Sequence, residues 1–210
     1  MARASTPRRT LDEQQVVAAA LRIADADGLD AVTMRRVGSA LGVSAMALYN
    51  HVDGKDALVD LMVDRTLREL PAIEPEAAWE AELLRFFTAL HRLLTAHPSV
   101  AEATLRRPIE GPVATQLADR VLELLTRSGF PDDEAAGAFV TLFNYTCGAS
   151  IYHLSRRRST GGRLDGIDVE RAPTAHRLRG HLAQAADDAH LERALRRIVA
   201  SLRDVAPPGA

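Results

Sequence analysis

The stretch Val32–Leu58, VTMRRVGSALGVSAMALYNHVDGKDAL, decides the fold. Thr33 stands where a helix through Ala40 needs an N-cap, and Gly42 can turn the chain. Ser44 can then cap a second short helix through about His51. Two short helices joined by a tight Gly-containing turn make a helix-turn-helix. Val37, Leu41, Val43 and Leu48 are spaced to pack the two helices on each other and on a preceding one. Arg35, Ser44, Ala45, Met46, Tyr49 and Asn50 are left toward the other side. The second helix has no charged side chain before His51, so its small residues let its N-terminus approach base edges in a major groove. Its free N–H groups, with Ser44, suit a phosphate.

Upstream, Val16, Val17, Ala20, Leu21 and Ala24 recur at helical spacing, and Gly28 can end that helix in a left-handed conformation. The first ten residues, with Pro7 and three Arg, read as a mobile basic arm. The window Ala31–Val52 contains no acid, while Arg35 and Arg36 supply charge. Lys55, the only lysine, falls at the start of the next helix, where side chain and backbone N–H groups together suit one phosphate. Ala57, Leu58, Leu61 and Met62 begin that longer helix, and Pro71 and Pro75 mark a break after it. The boundary therefore falls at about residues 55–70, giving a head of 1–60 and a body of 61–210. The body reads as helix at about Glu76–Ala96, Ser99–Arg106, Val113–Ser128, Asp132–Arg157 and Asp187–Arg203. Ser159–Pro173 reads as a mobile Gly-rich loop, and Pro207–Ala210 as a frayed tail.

The whole chain agrees with an all-α protein. It has 210 residues, 26 Lys+Arg against 28 Asp+Glu, and only 4% aromatics. A net charge of −2 excludes a bulk polycation, so any nucleic-acid contact is a local patch. The single Cys147 excludes a disulfide framework and a multi-Cys zinc site, and reads as a small buried apolar residue. No signal segment follows Arg3, Arg8 and Arg9, so a cytoplasmic location is expected. Ala135–Ser155 is uncharged for 21 residues, a length that fits a membrane span. Thr141, Asn144, Thr146, Gly148, Ser150 and His153 interrupt it, so a helix buried on several sides is expected instead. In the last helix, Leu191, Leu195, Ile198, Val199 and Leu202 share one face, which packs on its own chain or forms a dimer seam. Pairing it and Ala135–Ser155 with their copies in a four-helix bundle would cover both and make a homodimer. His176 and His181 lack metal-pair spacing. No nucleophile–base pair, metal-ligand set or cofactor loop is evident, so neither an enzyme nor a cofactor is expected.

The pattern T-x-R-x-[apolar]…L-G-V-S…L-Y-x-H-V-x-x-K-x-x-L resembles the TetR family of transcriptional repressors, and its tetracycline-repressor branch in particular. The likeness is strong over residues 11–68 and extends loosely through Trp79, His97, Arg107-Pro108 and Gly129-Phe130. It implies an all-helical homodimer with a three-helix DNA-binding head and a larger ligand-binding and dimerisation body. By that resemblance Thr33, Tyr49 and Lys55 contact phosphate, Arg35 reads a base, Ala45 and Met46 occupy base-reading positions, and His51 lies near the DNA backbone. The implied partners are a double-stranded palindromic operator and a small-molecule effector. On the ligand side the chain departs from the branch. The magnesium-binding His position is Ala103, and the drug-holding Asn aligns with Phe86. A mostly apolar effector is expected instead, held by Phe86, Leu90, His97, Leu117, Val121, Phe143, Asn144 and Cys147, with no metal. The rival readings are a constitutive or activating regulator without an inducer, and a small helical enzyme.

Overall fold

The computed structural model describes residues 11–74, 76–106, 111–158, 166–184 and 188–205, and every regular element among them is helical. The basic arm, Pro75, Arg107-Pro108, residues 159–165 of the expected loop and the Pro207–Ala210 tail lie outside the described residues.

The head is built on α1 (Glu13–Asp27). The Asp12 carboxylate accepts the Gln15 N–H at 2.7 Å, and the Gln15 side chain accepts the Asp12 N–H at 3.4 Å, a capping box. Gly28 ends the helix with φ +85° but ψ 166°, so the conformation is extended rather than the left-handed helical one expected. It feeds a 3-10 turn, Leu29–Ala31, ahead of α2 (Met34–Leu41), α3 (Ala45–Leu48) and α4 (Gly54–Leu67). Val16, Ala20, Val32, Val37, Leu48, Leu58 and Met62 are fully buried where these helices meet. Leu41 and Val43 are only half-buried. The helix α4 runs unbroken across residues 60 and 61, so head and body share one rod there.

In the body, α5 (Trp79–Ala96) packs against α6 (Pro98–Arg106), α7 (Pro112–Arg127), α8 (Asp132–Arg158) and α10 (Asp188–Ser201). Trp79 meets Phe130 edge-on at 5.1 Å and pins the start of α5 to the loop after α7. A helix not anticipated, α9, spans Pro173–Gln184. Its sequence carries too few apolar residues to show a stripe, but Pro173 suits the first helical position. The Asp168 carboxylate, accepting the Glu170 N–H at 2.8 Å, turns the chain into it. Leu191, Leu195 and Val199 of α10 are buried on their own chain, while Ile198 and Leu202 are partly buried. No helix among the described residues is long and apolar enough to cross a membrane. The helix α8 is not covered on all sides. Gly137, Val140, Thr141, Asn144, Gly148 and Tyr152 form an exposed face along it.

Buried Glu82 ties the connection between α4 and α5. It accepts the Glu74 N–H at 2.7 Å and Arg85 Nε–H at 2.7 Å, and Arg85 Nη2 also reaches the Ala72 carbonyl. The Arg85 hydrogen bond holds the Glu82 carboxyl below its ordinary 4.5, against the opposing effect of burial and with help from the Glu74 amide. A depressed carboxylate stabilises the fold above its ordinary value and loses that contribution as pH falls through the folded-state value. Glu82→Gln should therefore cost about 2 kcal/mol at neutral pH. It should also remove part of the fall in melting temperature below pH 4.5. Thermal melts from about pH 3 to pH 7 check this, and a variant that tracks the parent at every pH would refute it.

Candidate nucleic-acid interface and effector cavity

Local chemistry sets the head's geometry. The Thr33 hydroxyl accepts the Arg36 N–H at 3.2 Å, and the Ser44 hydroxyl accepts the Ala47 N–H at 3.2 Å. Gly42 is left-handed, φ 70° and ψ 26°, and the Val43 N–H donates to the Gly38 carbonyl at 2.9 Å. This is the hydrogen-bonded stop expected of a helix ended by glycine. The second helix of the helix-turn-helix, α3, is shorter than expected. After Leu48 the chain tightens, with the His51 and Val52 N–H groups both donating to the Leu48 carbonyl, at 2.9 and 3.0 Å.

The side chains fall on the outer surface as follows. Thr33, Arg35, Ser44, Met46 and Tyr49 are exposed, and Ala45, His51 and Lys55 are half-buried beside them. Met46 is 74% exposed and Tyr49 49%. Arg36 is ion-paired with Asp27 of α1, whereas Arg35 makes no ion pair among the described residues. Of these two neighbouring guanidiniums, Arg35 is thus the exposed one without an ion pair among the described residues.

A cavity of about 370 Å³ lies in the body. Phe86, Leu90, Leu117, Phe143 and Cys147, five of the side chains expected there, line it. The other three do not. Val121 sits one turn further along α7 and is fully buried in the core. Asn144 follows Phe143 on the helix and so faces outward, exposed. His97 caps the end of α5, where its Nε2 lies 3.8 Å from Glu69 and its buried Nδ1 has no hydrogen-bond partner among the described residues. Sequence reading missed Leu67 at the end of α4, Leu70 beyond it, Thr104 of α6, and Ala114, Thr115 and Ala118 of α7. No local pattern marks them, because the wall exists only once five helices, α4 to α8, meet. Phe139 and Phe143 stack at 5.9 Å, and the polar atoms in the wall belong to Thr104, Thr115 and Cys147. Burial pushes the Cys147 thiol up to about 12, so it is a neutral wall group and not a reactive thiolate.

Two buried polar contacts tie this body together. His91 Nδ1 and Ser150 Oγ are 2.8 Å apart, and Ser150 Oγ donates to the Thr146 carbonyl at 2.7 Å. Both side chains are sealed from solvent, so the pair joins α5 to α8 and offers no accessible nucleophile. Asp64 of α4 is buried against Gly111 at the N-terminus of α7, where backbone N–H groups favour negative charge. On the surface, Arg106 of α6 bonds Asp30 at 2.8 Å, just ahead of the helix-turn-helix.

Two family models match the chain. "Bacterial regulatory proteins, tetR family" matches residues 16–62, and "Tetracyclin repressor-like, C-terminal domain" matches residues 70–206. The chain belongs to the TetR family of transcriptional regulators. This TetR-family chain is 38% identical over 160 residues to the HTH-type transcriptional repressor DrrR1 of Streptomyces coeruleorubidus, covering 74% of the chain and 59% of that relative. It is 30% identical over 201 residues to the class A tetracycline repressor from transposon 1721 of Escherichia coli, covering 91% and 90%. The chain spans about three fifths of the length of the first two curated relatives it matches, 59% and 62%. The structure of ActR from Streptomyces coelicolor in complex with actinorhodin superposes with a TM-score of 0.84 at 30% identity, covering 96% of this chain and all of that one.

Proposed function

We propose that the chain is a ligand-responsive transcriptional repressor that binds a palindromic operator as a homodimer and is released by a small, mostly apolar effector. One observation carries this reading: α4 is shared by both sites. Its Leu58 and Met62 are buried in the cluster with α1, and its end, with Leu70 beyond it, supplies cavity wall through Leu67. An occupant that prefers one placement of Leu67 against α7 therefore biases the position of the head. The coupling is as large as the effector's difference in affinity for the two placements, typically about 1–3 kcal/mol. The Arg106–Asp30 bond gives α6, another cavity wall, a second hold on the head.

The cavity chemistry narrows the effector. Phe86 and the stacked Phe139 and Phe143 favour a planar multi-ring compound, and Thr104 and Thr115 can meet a few hydroxyl or carbonyl groups. ActR, with actinorhodin bound, offers a parallel among relatives. Ala103 is buried and carries no ligand atom, which disfavours a metal-chelated drug.

Fluorescence anisotropy with DNA tiled upstream of the chain's own gene tests the head, and melting curves with a panel of planar aromatic compounds test the body. Tight, salt-dependent binding to one palindromic tile, released by a compound that raises the melting temperature, is the expected result. Equal weak binding to all tiles defeats operator reading. Operator binding that no stabilising compound releases defeats the effector half and leaves a constitutive regulator. Arg35→Ala should lower operator affinity about 10- to 100-fold and relax preference at one base pair per half-site. Ala118→Trp should fill the cavity, leave operator affinity intact and abolish release by the compound; full release by that variant would place the effector elsewhere.

A further inference from the structure

The helix α3 offers a base edge almost nothing to hydrogen-bond with. Its four residues are Ala45, Met46, Ala47 and Leu48, of which Leu48 is fully buried and Ala45 and Ala47 are half-buried. The Ser44 and Thr33 hydroxyls are fixed as helix caps by accepting backbone N–H groups and keep only an O–H to donate, and Arg36 is held by Asp27. The side chain that projects from the first turn is Met46, the most exposed large apolar residue among those described, at 74%. A thioether has no donor and is only a weak acceptor, so it cannot read the donor–acceptor pattern of a base pair. The apolar group that a major groove presents is the thymine C5-methyl. Flanking alanines leave the unbranched Met46 chain room to reach it.

We infer that Met46 reads the C5-methyl group of one thymine in each half-site, and is the specificity-determining residue of α3. This rests on the operator-binding reading above. The operator code is then sparse: one pyrimidine methyl through Met46, with hydrogen-bonded readout supplied from α2 by Arg35. The head distinguishes thymine from uracil in the same base pair, which a hydrogen-bonding reader does not.

The test starts from a randomised duplex library, from which the full-length protein selects its operator. Each thymine is then replaced by deoxyuridine, symmetrically in both half-sites, which removes the methyl and keeps the pairing. At one position affinity should fall about fourfold per methyl group, about fifteenfold for the two. Met46→Ala should bind the thymine operator about as weakly as the parent binds the uracil one, and should be indifferent to the replacement. Met46→Leu should keep the sensitivity. Indifference of the parent protein at every thymine overturns the assignment, as does a uracil penalty that persists undiminished in Met46→Ala. Failure of the library to yield any preferred sequence is a different result, since it removes the operator reading itself.

Discussion

Gly38→Val should disable the head while sparing the body. A Cβ at position 38 would lie 2.9 Å from the Val43 carbonyl oxygen and 3.3 Å from both the Ala45 nitrogen and the Ser44 carbonyl carbon. All three atoms are backbone, so no side chain can swing aside to make room. With alanine, the overlap costs about 1–3 kcal/mol of overpacking. It is partly offset by the roughly 1 kcal/mol that alanine gains over glycine in a helix. Valine keeps little of that gain and adds two branches, so the net cost should reach about 3 kcal/mol. The overlap is relieved only by moving α3 off α2, which displaces Met46 and Tyr49 together. Operator affinity should then fall about 100-fold, the equivalent of that strain. Effector-induced stabilisation of the body should persist. Gly180→Ala in α9 is the control, because a Cβ there meets nothing within 4 Å. Anisotropy and melting curves on both variants decide the matter, and undiminished operator binding by Gly38→Val would show that the turn has slack.

Gly38 also shows where sequence reading stops. The caps Thr33 and Ser44 and the turn glycine Gly42 act within a few residues of themselves, so composition and spacing reveal them. The role of Gly38 depends on how closely a helix approaches the turn that follows it, which spacing does not encode. The cavity divides in the same way. Phe86, Leu90, Leu117 and Phe143 stand out as apolar residues on helix faces. Whether an apolar residue lines a void or fills a core depends on its neighbours, which is why Val121 and Ala118 change places with expectation. Leu67, the last residue of α4, and Leu70 just beyond it look like ordinary core residues, and become wall only through the way α5 to α8 surround them. Polar Asn144 reads as a ligand contact when its helix is expected to be buried on several sides; on the structure it belongs to the open face of α8.

That open face carries the second prediction. Between Glu134 and Arg156 the helix has no charged side chain, yet Val140 is 51% exposed and Tyr152 59%. Gly137, Thr141, Asn144 and Gly148 continue the face, and a Cβ at either glycine would meet nothing within 4 Å. A charge-free surface of this kind on a chain that is 26% charged overall is what an interface between copies requires. In a two-fold arrangement each residue of the face meets the same face of its copy, so Thr141→Arg would bring two cations together in a desolvated seam. The single chain should tolerate it, because Thr141 is exposed and arginine is a good helix former. Sedimentation should show a 22.8 kDa species in place of one twice that mass. Binding to a full palindrome should fall at least about 100-fold, because two linked heads gain roughly that from effective concentration. Binding to an isolated half-site should not change, which separates loss of pairing from damage to the head. A Thr141→Arg protein that still sediments at the doubled mass, with full palindrome affinity, would move the seam away from α8. The partly buried Ile198 of α10 and Leu202 just after it would then be the next residues to charge.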